Sequence, residues 1–158
     1  MTAVTTQTRL DELMARANAL YEDVSFEAVR EWKGRGACRK AIGFLPIYAP
    51  REVIHAAGAL PVGIMGGGDQ LEIVRGDSYF QSYICHLPRS VVEMAVSGRL
   101  DAMDGFLFPS ICDVIRNLSG MFQMLFTGKY IHYLDLPQNF DSALGGEFYR
   151  TELQGIAE

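Results

Sequence analysis

The sequence has 158 residues, of which 49% are hydrophobic and 21% charged, and its formal net charge is −5. This length suits one domain with a buried core, and the composition is that of a folded chain rather than a disordered one. The acidic balance argues against nucleic-acid binding, and the absence of 18 consecutive apolar residues predicts no membrane span.

The N-terminus and the cysteine count predict a cytoplasmic protein. The first eight residues lack the basic region followed by an apolar stretch that marks a signal peptide. The 3 cysteines cannot all pair within one chain, which is typical of a reducing compartment.

Residues 1–37 are predicted to form a helical arm. Its apolar residues recur at the spacing of an amphipathic helix: Leu10, Leu13, Met14, Ala17, Leu20, Tyr21 and Val24. A second, short helix is predicted to begin at Ser25, whose hydroxyl would cap it, and to end by residues 34–36. Such an arm packs either on the edge of its own domain or on another subunit.

Four apolar runs separated by helical patterns follow the arm. The predicted strands are residues 41–45, 61–65, 105–108 and 130–134. The predicted helices are residues 50–58, 79–97, 114–125 and 146–158. Pro88 is predicted to kink or split the second of these helices, and Gly98 is predicted to end it. This alternation predicts an α/β domain over residues 38–158, with a parallel sheet of about four strands flanked by helices. We interpret it as the first domain of a longer subunit.

Each predicted strand leads into a loop rich in Pro, Gly and small polar residues. The loops are residues 46–50, 66–69, 109–112 and 137–139. In a parallel sheet these loops collect at the carboxyl edge, where ligands bind. The alternative is that Pro and Gly serve only to turn the chain. The glycines of residues 66–68 are not followed by the Gly-Lys-Ser/Thr of a P-loop, so no ATP site is predicted.

Two cysteines lie near this predicted edge. Cys112 follows the third strand at the start of a helix, where the helix dipole favours a negatively charged group such as a thiolate. Cys85 precedes it by 27 residues, and no Cys-x-x-Cys motif is present. Spacing alone therefore leaves both metal ligation and simple packing open. Cys38 precedes the first strand, at the opposite edge, and is predicted not to be a ligand.

Glu52 belongs to the first turn of the helix that follows the first strand. A carboxylate there can act as a base or hydrogen-bond partner at the same edge. Alternatively, its negative charge only stabilises the helix, by interacting with the positive N-terminal end of the helix dipole.

Three segments together resemble the 2-hydroxyacyl-CoA dehydratase / benzoyl-CoA reductase family: residues 44–62, 82–85 and 104–113. Residues 112–122 and 136–141 are most similar to the branch of C (gamma) subunits from ATP-dependent class I reductases. The resemblance extends over about residues 9–158, and its long unbroken motifs are far more specific than the isolated cysteines.

The resemblance implies a cofactor and a set of site residues. Family subunits have two α/β domains, and each typically holds a [4Fe–4S] cluster through three cysteines. Cys85 and Cys112 match the first two of these, whereas the third belongs to the second half of family members. A chain of these residues alone is therefore expected to bind the cluster poorly. Glu52 matches the acidic residue that lies near the acyl-CoA.

The function that the resemblance implies is the ATP-driven, ferredoxin-dependent reduction of benzoyl-CoA to a cyclic dienoyl-CoA by two electrons and two protons. Its partners would be other reductase subunits, including an ATPase that activates electrons, together with ferredoxin and an aromatic acyl-CoA. Two alternatives stay open: a 2-hydroxyacyl-CoA dehydratase subunit, and a non-catalytic α/β binding or assembly domain.

Overall fold

The computed structural model describes residues 6–45 and 47–157, with side chains from residue 8 onward. Pro46, predicted to end the first strand, lies outside the described residues, as do residues 1–5 of the predicted arm and Glu158. Within the described residues the strands are β1 (Ala41–Phe44), β2 (Leu60–Gly63), β3 (Gly105–Pro109) and β4 (Tyr130–Leu134). The α-helices there are α1 (Thr6–Glu22), α2 (Glu27–Gly34), α3 (Arg51–Ala56), α4 (His86–Val96), α5 (Asp113–Leu125) and α6 (Glu147–Ala157). The predicted α/β class is confirmed.

The four described strands form one parallel sheet in the order β2-β1-β3-β4. From β1 the chain passes outward to β2, then crosses back to β3 and continues to β4. The direction of winding therefore reverses between β1 and β3. In open α/β sheets, the crevice at the carboxyl ends of such a pair is the usual ligand site.

Helices cover both faces of the sheet. Side chains of β3 alternate between the faces, as in any strand. Phe106 and Phe108 pack with α4 and α5 in the larger core cluster, whereas Leu107 belongs to a smaller cluster with Ile54 of α3 and Tyr149 of α6. Helices α4 and α5 therefore share one face of the sheet, and α3 and α6 share the other.

The larger core is built around four phenylalanine rings. Phe122 meets Phe106 edge-on at a centroid distance of 4.9 Å and Phe108 at 5.0 Å, while Phe126 stacks on Phe106 at 5.1 Å. Such aromatic contacts add to the stabilisation that burial provides. They fix α5 firmly on the sheet, and with it the residues that begin this helix.

Helix α2 is tied to the sheet by Asp104. The Nζ of Lys33 donates to Asp104 at 2.6 Å, and the backbone N–H of Ala41 donates to the same carboxylate at 2.9 Å. The predicted cap at Ser25 is wrong. The side chain of Asp23 instead accepts hydrogen bonds from Glu27 N–H and Ala28 N–H at 3.0 and 2.9 Å, because a carboxylate further from the helix reaches two backbone donors at once.

Helix α4 is shorter than predicted. It begins at His86 rather than near residue 79, and a 3₁₀ turn at Gly76–Tyr79 precedes it. The predicted kink or split at Pro88 is wrong, because Pro88 lies in the first turn of α4, where a backbone N–H has no partner within the helix. The predicted stop at Gly98 is confirmed: it follows the helix with φ 78°, a conformation that glycine adopts readily.

Helix α1 differs from the others in its surroundings. Every side chain from residue 8 to residue 22 is exposed, including the large apolar ones. By contrast, Val24, Phe26 and Val29 pack against the larger core. Among the described residues, no helix combines the length and apolar character needed to cross a membrane.

Candidate functional site

A cavity of about 460 Å³ opens at the carboxyl edge of the sheet, a volume within the usual range for small-molecule sites. The loops after β1, β3 and β4 and the first turns of α6 form its walls. The lining residues are Tyr48, Ser110, Ile111, Leu136, Pro137, Gln138, Phe140 and Tyr149. The cavity therefore gathers three of the four loops that the sequence predicted at this edge.

Ser110 connects two of the cavity's loops. Its backbone N–H donates to the carbonyl of Leu134 at 2.9 Å. Its Oγ accepts a hydrogen bond from Leu136 N–H at 2.8 Å. These two bonds extend the pairing of β3 with β4 past the last strand residues, so the loops that carry Ile111 and Pro137 are held side by side.

Tyr48 supplies an exposed aromatic ring at the cavity. Its φ is 61°, in the left-handed region that non-glycine residues rarely occupy. A bulky residue in this conformation costs about 1–3 kcal/mol and is held in place by its surroundings, often at a functional site. Tyr48 is 67% exposed, so burial does not stabilise this arrangement among the described residues.

The loop after β4 is held in a compact form beside the cavity. Asp141 accepts hydrogen bonds from the N–H groups of Ala143 and Leu144, and Asn139 accepts one from Asp141 N–H. The backbone of Gly145 is packed so closely on Asn139 that a Cβ there would overlap the Asn139 carbonyl oxygen. These contacts leave Phe140 97% exposed at the edge of the cavity.

Both cysteines predicted as ligands lie at the starts of helices on the same face of the sheet. Cys85 is the N-cap residue of α4 and Cys112 is the N-cap residue of α5, and both are exposed free thiols. Gly67 N–H donates to Ser90 Oγ at 2.7 Å, which fixes the first turns of α4 to the loop after β2, at the carboxyl edge. Cys38 lies before β1, at the amino edge, and is also an exposed free thiol.

The donor set fits part of an iron–sulfur ligand set. Thiolates are the usual ligands of such clusters, and neither Cys85 nor Cys112 uses its thiol to cap its helix. Among the described residues, no three His, Cys, Asp or Glu side chains come together in a group able to hold a metal ion. This part of the chain therefore offers two thiols but not a complete site.

Glu52 lies in the first turn of α3, directly after the loop that carries Tyr48. Its side chain is exposed. Helix α3 is on the face opposite α4 and α5, so Glu52 and the two cysteines approach the carboxyl edge from opposite faces of the sheet.

The glycine-rich loop after β2 lies apart from the cavity. Gly66, Gly67 and Gly68 line a separate hollow of about 270 Å³ together with Tyr21 and Glu22 at the end of α1. This loop therefore supports the root of the N-terminal arm rather than the walls of the carboxyl-edge cavity.

Sequence reasoning did not identify several of the cavity's residues. Tyr149 and Phe140 come from the segment after β4, and only the packing of α6 brings Tyr149 to Tyr48 and Ser110. The motif at residues 136–141 was the available signal, because it follows a strand end and contains an aromatic residue between polar ones.

Comparisons with known proteins agree with the resemblance that the motifs carry. The family model of the 2-hydroxyglutaryl-CoA dehydratase D-component matches residues 46–158. The C subunit of benzoyl-CoA reductase from Thauera aromatica is 56% identical over 147 residues, which cover 93% of this chain and 38% of that protein.

Two dehydratase subunits are more distant relatives. The beta subunit of (R)-2-hydroxyglutaryl-CoA dehydratase from Acidaminococcus fermentans is 36% identical, covering 75% of this chain and 31% of the relative. The beta subunit of (R)-phenyllactyl-CoA dehydratase from Clostridium sporogenes is 30% identical, covering 72% of this chain and 30% of the relative. The chain thus spans 30 to 38% of the length of these three relatives. The family match over most of its residues shows that the chain belongs to the 2-hydroxyglutaryl-CoA dehydratase D-component family.

Proposed function

We propose that this chain is the N-terminal part of a benzoyl-CoA reductase subunit. The observation that carries the proposal is its 56% identity, over 93% of its length, to the C subunit of a benzoyl-CoA reductase. The dehydratase subunits match at 36% and 30% over a smaller share of the chain. The reaction adds two electrons and two protons to the aromatic ring of benzoyl-CoA and forms a cyclic dienoyl-CoA.

In this proposal the carboxyl-edge cavity receives the aromatic acyl group. Its walls carry the rings of Tyr48, Phe140 and Tyr149, and its volume of about 460 Å³ suits a planar ring with the start of a thioester chain. Aromatic rings pack edge-to-face or offset against one another, which favours a flat aromatic group over a charged one here. Glu52, next to this loop, would hydrogen-bond the substrate or carry a proton to it.

Cys85 and Cys112 would provide two of the ligands of a [4Fe–4S] cluster, and a third would come from outside this chain. When bound, the cluster supplies single electrons at low potential. Separate ATPase subunits would deliver these electrons from ferredoxin, in a cytoplasmic complex. The residues of this chain would position the acyl group and control protons, while the cofactor performs the electron transfer.

The test uses the full-length subunit in its complex, purified without oxygen. Cys85→Ser and Cys112→Ser should each lower the bound iron and the absorption near 400 nm, whereas Cys38→Ser is the matched control and should change neither. Full iron content in both site variants would contradict the ligand assignment.

A second candidate is a 2-hydroxyacyl-CoA dehydratase subunit, which the family model's own description and the two dehydratase beta subunits favour. The same complex is offered benzoyl-CoA or a 2-hydroxyacyl-CoA, with ATP and reduced ferredoxin. Reduction of benzoyl-CoA supports the reductase, and dehydration of the hydroxyacyl thioester with no ring reduction would establish the alternative.

A further inference from the structure

His132 lies on β4 beneath helix α6. Side chains of a strand alternate between its two faces, so Tyr130, His132 and Leu134 share one face. Leu134 belongs to the smaller core cluster together with Tyr149 of α6. A Cβ on Gly155 of α6 would lie 3.8 Å from the Cε1 atom of His132. The imidazole is therefore within van der Waals range of the helix that covers it.

Two hydrogen bonds hold α6 on β4, one on each side of His132. The hydroxyl of Tyr130 donates to the carbonyl of Ile156 at 3.3 Å. The backbone N–H of Asp135 donates to Oε2 of Glu152 at 3.0 Å. His132 thus lies in the middle of the contact that attaches α6 to this edge strand of the sheet.

One nitrogen of the His132 ring has no partner. Its Nε2 is buried and forms no hydrogen bond with the described residues. A neutral imidazole carries a single N–H, so Nε2 can remain a bare acceptor, whereas the protonated ring carries an N–H on both nitrogens. Protonation therefore places a charged donor in the contact with α6 without an acceptor, which is unfavourable. The packing of α6 on β4 accordingly favours the neutral ring.

The surroundings of His132 agree with this preference. Burial holds the pKa of His132 below its ordinary value of 6.5, against the charge of Glu152 on α6, which raises it. The ring of Tyr130 stacks beside His132 at a centroid distance of 5.9 Å and stays uncharged, because burial raises the pKa of Tyr130. On β3 the register partner of His132 is Leu107, which carries no charge.

The contact matters for the carboxyl-edge cavity because α6 forms part of that cavity. Tyr149 lies three residues before Glu152 and lines the cavity. Asp135, which Glu152 holds, begins the loop whose next residues, Leu136 and Pro137, form another wall. A looser α6 would therefore shift two walls of the cavity together.

We propose that His132 is a positioning residue for the carboxyl-edge cavity and makes that cavity sensitive to pH. With a neutral imidazole, α6 stays packed on β4 and the cavity keeps its walls. Uptake of one proton by the ring loosens α6 and lowers the affinity of the cavity for an acyl thioester. The inference rests on the proposed function for the identity of that ligand, and it adds a regulation of the same site by pH.

The direction and size of the effect follow from the linkage between proton binding and packing. Because the loosened state binds the proton at a higher pH than the packed state, the packing of α6 is complete above about pH 6.5 and weakens as the pH falls below that value. One linked proton changes an equilibrium by at most about tenfold per pH unit.

Hydrogen exchange of α6, in the full-length subunit within its complex, tests the contact. Protection of the α6 amides, corrected for the intrinsic pH dependence of exchange, should fall at least about twofold from about pH 7.5 to about pH 6.0. His132→Phe keeps a flat ring that cannot take up a proton and should abolish this fall. His132→Leu is a second neutral replacement, so the test does not depend on one variant folding.

His55→Phe is the matched control, because His55 on α3 is exposed, and it should retain the fall in protection. Protection that does not change with pH in the parent would overturn the inference. The same pH dependence in the parent and in the His132 variants would also overturn it.

Ligand binding distinguishes a role at the cavity from a purely structural one. The affinity for benzoyl-CoA, or for a 2-hydroxyacyl-CoA if benzoyl-CoA does not bind, should fall between these pH values at least about twofold more in the parent than in His132→Phe. An equal fall in both proteins would contradict a role for His132 at the cavity.

Failure of this inference is distinguishable from failure of the proposed function, since the protection of α6 is measured without a ligand. A complex whose α6 responds to pH through His132 but that does not reduce benzoyl-CoA counts against the reductase assignment alone. A complex that reduces benzoyl-CoA while its α6 is insensitive to pH counts against the role of His132 alone.

Discussion

The hydroxyl of Ser110 accepts a hydrogen bond from the backbone N–H of Leu136 at 2.8 Å and so joins the loop after β3 to the loop after β4. Both residues line the carboxyl-edge cavity. One side-chain bond thereby sets the spacing of two walls of the cavity, on strands that are already paired in register.

Replacing Ser110 tests this relationship. Ser110→Ala leaves Leu136 N–H without its acceptor, and we expect the free energy of unfolding to fall by about 1 kcal/mol in urea titrations. Binding of benzoyl-CoA to the full complex should weaken with it. Ser110→Thr keeps the hydroxyl and is the control. Equal losses in both variants would contradict a role for the hydrogen bond.

Two substitutions of Tyr48 distinguish the contribution of its aromatic ring from the cost of its left-handed backbone. Tyr48→Gly relieves the left-handed φ of 61° and removes the ring, so the free energy of unfolding should stay within about 1 kcal/mol of the parent while aromatic acyl-CoA affinity falls. Tyr48→Val keeps the strain in a β-branched residue and should lower stability by about 1–2 kcal/mol more. Isothermal titration measures the affinity and urea unfolding measures the stability. Undiminished acyl-CoA binding by Tyr48→Gly would show that the ring does not contribute to the site.

Glu52 is expected to matter for activity and not for folding. In the full complex, Glu52→Gln should lower benzoyl-CoA reduction at least about 100-fold, the scale of a lost proton-transfer group. Because its side chain is exposed, thermal unfolding of the chain should not change. Glu72→Gln, also exposed, is the matched control. Comparable rates in the two variants would exclude Glu52 from proton transfer.

The buried carboxylate of Glu93 predicts acid sensitivity. Burial alone would raise the pKa of Glu93, but hydrogen bonds from the N–H groups of Gly76 and Val74, at 2.7 and 3.0 Å, outweigh burial and hold that pKa below its ordinary value of 4.5. As the pH falls, Glu93 therefore binds its proton at a higher pH in the unfolded chain than in the folded chain. Its contribution to stability is therefore complete above about pH 4.5 and is lost as the pH falls through the lower pKa of the folded state.

Glu93→Gln tests this dependence. It should lower the free energy of unfolding by about 1–3 kcal/mol at pH 7, because the charged acceptor of the Gly76 and Val74 N–H groups is lost. Below about pH 4.5 its stability should change less with pH than that of the parent. Urea unfolding at a series of pH values measures both effects, and parallel curves for the two proteins would show that Glu93 does not carry the acid sensitivity.

Gly145 should not tolerate a side chain. A Cβ there would overlap the carbonyl oxygen of Asn139, so Gly145→Ala must displace the loop after β4. We expect a loss of stability of about 1–3 kcal/mol, as for other overpacked buried positions. Gly120→Ala on α5 has open space around its Cβ and should be stabilising or neutral. Melting temperatures in the reverse order would contradict this account.

The sequence by itself determined the features that depend on neighbours along the chain. The alternation of apolar runs with amphipathic patterns predicted four strands and the helices between them, since side-chain periodicity follows directly from local backbone geometry. Gly98 marked a helix end because few other residues adopt its backbone angle. The long motifs at residues 44–62 and 104–113 predicted the family that the comparisons confirmed.

Only the tertiary structure decided what depends on residues far apart in the chain. The start of α4 at His86 was missed, because a 3₁₀ turn packed on that helix carries a similar pattern. The cap of α2 comes from Asp23 rather than Ser25, since the geometry of the turn decides which oxygen reaches the free N–H groups. Tyr48, Ser110 and Tyr149 share a cavity because the strand order places β1 beside β3 and folds α6 back over them, an arrangement that no local pattern encodes.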